Sequence, residues 1–87
     1  MVGIGDAGAQ TLQALRNVQR ALESVGARLD DVVRTRIYVT DINKWEEVGK
    51  VHGLFFKDVR PTTTMIEVKG LISQNMLVEI EVEAILD

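Results

Sequence analysis

The residues best equipped for chemistry gather late in the chain. There Arg60-Pro61-Thr62-Thr63-Thr64-Met65-Ile66-Glu67-Val68 leads through a Gly-containing loop into Leu77-Val78-Glu79-Ile80-Glu81-Val82-Glu83-Ala84. A carboxylate acts as a general base or holds a water where its surroundings raise its pKa toward neutrality. Glu79 is the candidate, whereas Glu81 and Glu83 of the same row read as structural or solvated. Strand alternation sets all three on one face, about 7 Å apart, where like charges repel by roughly 0.6 kcal/mol per pair in water and several times more at low effective dielectric. Such a row is tolerable if wet, or if Arg34 and Arg36 lie opposite it. His52, the only histidine, sits on a helical stripe without a Cys or Ser partner and reads as a packed or snorkelling residue rather than a catalyst. Gly3, Gly5 and Asp6 are too sparse for a phosphate-binding loop.

The elements that must position these residues follow from hydrophobic period. Leu12, Leu15, Val18, Leu22 and Val25 recur at helical intervals. This predicts a helix from Ala7 to Val25, with Asp6 as N-cap and Gly26 as the residue that stops it. Val32 to Thr40 is rich in β-branched residues and predicts a strand, with Val33, Thr35, Ile37 and Val39 on one face and Arg34, Arg36, Tyr38 and Thr40 on the other. Asn43 and Glu46 have the spacing of a capping box, which predicts a second helix from Lys44 to Phe56 with Trp45, Phe55 and Phe56 in the core. Pro61 cannot continue that helix and opens a strand from Thr62 to Val68. In the last strand Val78, Ile80, Val82 and Ala84 face the core, and the glutamates face away. The expected fold is α+β, ordered α-β-α-β-β in a single domain over residues 1–87, with two helices on one face of the sheet and a right-handed crossover.

A chain of 87 residues buries only a little over ~60% of its unfolded surface, so burial against further copies is expected. Ten Lys and Arg against 13 Asp and Glu give a net charge of −3, which supplies no basic field for a nucleic-acid partner. The absence of Cys excludes thiolate ligands and nucleophiles. Apolar runs fall far short of the ~20 residues that span a bilayer, and Met1 to Gly8 lacks the pattern of a signal peptide. A cytoplasmic protein without a membrane partner is expected.

Gly5 to Asn17, Leu29-Asp30-Asp31-Val32-Val33, Val39-Thr40-Asp41-Ile42-Asn43, Phe55-Phe56, Arg60-Pro61 and Leu77-Val78-Glu79-Ile80-Glu81 together, in that order and spacing, resemble the Rid family, also called YjgF-like or L-PSP proteins. The resemblance implies a chorismate-mutase-like fold and a homotrimer with ligand clefts between subunits. It also implies hydrolysis of 2-imino acids to 2-oxo acids and ammonia in active members, without metal or organic cofactor. It implies that this chain starts at the first helix, lacking the family's first strands, so that the last strand has an open edge. Thr63 occupies the position of the family's carboxylate-binding Arg, Thr64 and Met65 those of its Ser and Cys, and Gly49 that of an Asn on the second helix. Glu79 occupies the position of the Glu that holds or activates water. The expected site is thus Glu79 as catalytic residue with Thr63, Thr64, Met65 and Gly49 around a small carboxylate or imine. The favoured reading is a degenerate, small-molecule-binding homotrimer. The alternatives are an active imine deaminase and the ribonuclease or translation-inhibitor role attached to the family by name, which the acidic balance opposes.

Overall fold

Asp6 begins the regular structure as its sequence context predicts: the carboxylate accepts from the Ala9 backbone N–H at 2.9 Å and caps the first helix, α1 (Ala7–Ser24). The computed structural model describes residues 3–86. Gly26, at φ +79°, turns the chain out of α1, a conformation that favours glycine. The elements that follow are β1 (Val32–Val39), α2 (Trp45–Phe56), β2 (Thr62–Glu67) and β3 (Val78–Ala84). The sheet order is β2-β1-β3, with β1 parallel to β2 across the α2 crossover and antiparallel to β3. The outer edges of β2 and β3 have no strand partner among the described residues.

Both helices lie on one face of the sheet. Ala7 of α1 and Val48 of α2 pack with Ile37, Val39 and Val78, while Leu15, Leu22 and Phe56 pack with Val32 and Ala27. This burial is the main stabilising term for a domain of this size. No helix among the described residues is long and apolar enough to cross a membrane.

Three expectations of side-chain placement are corrected. Val33, assigned to the core face, is 43% exposed, because the pairs Val32↔Ala84 and Arg34↔Glu83 leave it as the extra residue of a β-bulge and Val32 takes the buried place. Asn43 does not cap α2. The Asp41 carboxylate instead accepts from the Asn43 N–H and caps a short 3-10 turn over Ile42–Lys44, and α2 starts at Trp45 without a side-chain cap. Trp45, assigned to the core, is 56% exposed, since that turn rotates the first residue of α2 away from the sheet. The strands end within one or two residues of their expected limits.

Candidate functional site

On the face of the sheet turned away from the helices, strand register decides the electrostatics. Arg34 pairs with Glu83, Arg36 with Glu81 and Tyr38 with Glu79. Arg34 Nη1 lies 3.7 Å from Glu83 Oε1, and Arg36 reaches Glu81 at 3.8 Å and Glu83 at 3.9 Å. These half-exposed pairs contribute only about 0–1 kcal/mol each, but they neutralise two of the three glutamates. The Tyr38 hydroxyl donates to Glu81, and that bond holds the Tyr38 proton above its ordinary pKa of 10.0. Glu79 has no ion-pair or hydrogen-bond partner among the described residues. It is exposed and lines an open cavity of about 390 Å³ with Tyr38, Glu81, Gly70 and Leu71.

The loop that borders this cavity is held from below by Gln10 of α1. Its side-chain amide donates to the Asn75 carbonyl at 2.8 Å, and its carbonyl accepts from Leu77 N–H at 2.7 Å. Periodicity marks Gln10 as merely one residue of a helix, yet it is buried and fixes where β3 begins. The only signal in the sequence is a polar residue in an otherwise apolar or small stretch.

The opposite face carries a second polar feature. Thr35 of β1 is fully buried and lies next to Thr63 of β2 in register. Thr35 Oγ1 is 2.9 Å from His52 Nε2 and donates to Thr63 Oγ1 at 3.0 Å, and Thr63 in turn donates to the Pro61 carbonyl at 3.1 Å. His52, 8% exposed, packs at a tilt of 35° against Phe56 with ring centroids 4.7 Å apart. The chain from His52 to Thr63 was not visible in the sequence; its trace there is a threonine at a core-facing strand position.

Burial pushes the His52 imidazole below its ordinary pKa of 6.5. The native state therefore resists a proton that the unfolded chain accepts once the pH drops beneath about 6.5, and stability declines over that window until the folded pKa is also passed. With no other histidine in the chain, the urea midpoint is expected to fall more between about pH 7.5 and pH 5.5 in the natural protein than in His52→Gln. Parallel curves for the two would refute this.

The expected site residues divide between the two faces. Thr63 and Met65 point to the helix side, where Met65 packs against the Ile37 cluster, whereas Thr64, level with Arg36, shares the ionic side with Glu79. Within one copy Thr63 and Glu79 are thus on opposite sides of the sheet, and a pocket using both requires a second copy. Gly49 lies on α2 three residues before His52, and a Cβ added there meets nothing within 4 Å. Packing within the protomer does not demand glycine at that position.

Residues 1–86 match the family described as Endoribonuclease L-PSP. A RutC family protein of Aquifex aeolicus is 37% identical over 78 residues, covering 87% of this chain and 62% of its own length. An uncharacterised protein of Streptomyces coelicolor is 36% identical over 84 residues, covering 97% of this chain and 63% of its own. The chain thus spans less than two thirds of the length of these relatives. The crystal structure of a YjgF family member from Mycobacterium tuberculosis superposes with a TM-score of 0.92 at 56% identity, over 93% of this chain and 69% of that one.

Proposed function

Because the chain belongs to the Endoribonuclease L-PSP family, the Rid-like group that its sequence resembles, we propose that it acts as a homotrimeric small-molecule-binding member with ligand clefts between copies and without imine-hydrolysing activity. The observation that carries this reading is Thr63: a neutral hydroxyl already committed to Thr35 and Pro61 stands where the resemblance calls for a guanidinium. A 2-imino acid needs a cation for its carboxylate, best met by a bidentate Arg, and Thr63 has no charge to offer. Assembly of the single Rid-like domain, residues 1–87, is supported by the half-exposed Arg-Glu ladder together with exposed Ile66, Ile85 and Leu86. Association would cover this surface, which one protomer leaves in water. A cytoplasmic location accords with this reading.

The test couples release of 2-oxo acid from freshly generated 2-iminobutanoate to a dehydrogenase. The expected rate is that of buffer alone. Sedimentation equilibrium is expected to return the mass of a trimer, and a lone protomer in dilute solution would overturn the reading.

The second reading, an imine hydrolase, is favoured by Glu79, which has no partner among the described residues, beside its cavity and the Tyr38 hydroxyl. There Glu79 would hold or deprotonate the attacking water. Release above buffer that disappears in Glu79→Gln would select it.

A further inference from the structure

A hydroxyl carries one proton, and that fixes the direction of the buried chain. Thr63 gives its proton to Pro61, and Thr35 gives its proton to Thr63. The 2.9 Å contact between Thr35 Oγ1 and His52 Nε2 therefore needs a proton from the ring. His52 is the Nε2–H tautomer, and every donor points outward from His52 toward the surface. Thr35 is 0% and His52 8% exposed, so water offers neither group a ready substitute partner.

We propose that this chain holds Thr63 as a hydrogen-bond acceptor, so that the Thr63 position takes a ligand through an N–H donor, a primary amide or amine, rather than through a carboxylate. The inference rests on the reading of Thr63 as a ligand contact and specifies what that contact selects. With one lone pair accepting from Thr35 and the proton given to Pro61, Oγ1 of the exposed Thr63 has one lone pair left and no proton to give. A carboxylate oxygen would meet that lone pair with its own. An N–H group adds a bond and breaks none, and the bond that Thr63 donates strengthens its oxygen as an acceptor. Turning the Thr63 proton outward to meet a carboxylate forfeits the Pro61 bond and still supplies no charge. His52 and Thr35 act as positioning residues: they touch no ligand but decide which part of the Thr63 hydroxyl faces it.

Two measurements on the assembled protein test this. Nitrogen chemical shifts of neutral His52 are expected to show a protonated Nε2 and a bare Nδ1; the reverse tautomer would reverse the chain and overturn the proposal. The second measurement titrates butyramide, N,N-dimethylbutyramide and butyrate against the backbone amide resonances of Thr63 and Thr64. Butyramide is expected to bind about fivefold tighter than either of the others, the worth of one net hydrogen bond. The preference should vanish in Thr63→Val, weaken in Thr35→Val, which leaves the Thr63 hydroxyl free to turn, and persist in Thr35→Ser. Equal affinities in the natural protein, or a preference that survives Thr63→Val, an exposed change that removes no buried apolar contact, would defeat it. Shifts confined to the surroundings of Glu79 would remove this inference but leave small-molecule binding standing; no shift anywhere would remove both.

Discussion

Thr63→Arg is expected to tighten binding of a small carboxylate such as butyrate by roughly 10- to 100-fold, read by calorimetry. The magnitude follows from the charge. A bidentate guanidinium makes two hydrogen bonds to an ionised group, worth about 1.5–3 kcal/mol each against about 1 for a neutral one. Near the low end of that range, and after about 0.5–1.5 kcal/mol for ordering the long side chain, roughly 1.4–2.8 kcal/mol remains, at about tenfold in affinity per 1.4 kcal/mol. Position 63 is exposed on β2, an edge strand, so the longer side chain has room to extend. Loss of the Thr63 hydroxyl deprives Thr35 of its acceptor, and a stability cost of about 1 kcal/mol is expected alongside. Unchanged carboxylate affinity would mean that the guanidinium has no cleft to enter, and the proposed binding site between copies would have to be given up.

Phe56→Ala should be the most damaging single change to the protomer. Phe56 is buried in the cluster that joins α1, α2 and β1, and its ring backs His52. Truncating such a residue costs about 3–5 kcal/mol, a large share of the roughly 5–15 kcal/mol that holds a domain together. At a urea dependence of about 1 kcal/mol per molar, the midpoint falls by ~3 M or more. The comparison that gives this meaning is Trp45→Ala at the same protein concentration, because association shifts apparent stability. In an isolated protomer, Trp45 at 56% exposure should cost under about 1 kcal/mol on truncation. A Trp45 cost matching that of Phe56 would place the indole in a contact between copies.

Much of the scaffold could be read from residue spacing because its signals are local. The Asp6 cap, the Gly26 stop and the 3.6-residue stripe of α1 involve residues within a turn of one another. The period-2 pattern of β3 placed Val78, Ile80 and Val82 inward, and the same alternation in β1 put Arg34 and Arg36 on the face where the glutamates needed partners. The failures come from departures by a single residue. A bulge at Val33 exchanges it with Val32, and a 3-10 turn after Asp41 displaces Asn43 from the cap and turns Trp45 outward. Neither a bulge nor a short 3-10 turn leaves a periodic trace, so pattern reasoning assigns those residues by continuing the neighbouring period.

For the site, the chain by itself determined the chemical inventory: an acidic row, two arginines able to oppose it, a lone histidine, and a threonine at position 63. It also determined which of these share a strand face, since alternation is a property of each strand alone. Only the tertiary structure decided how the inventory was distributed. Register matched Glu81 and Glu83 to arginines and left Glu79 facing Tyr38. Parallel pairing of β1 with β2 aligned Thr35 with Thr63, and the packing of α2 brought His52 within hydrogen-bond reach of Thr35. The physical reason is that strand pairing and helix docking join residues far apart in sequence, through cross-strand and side-chain contacts that no local pattern encodes.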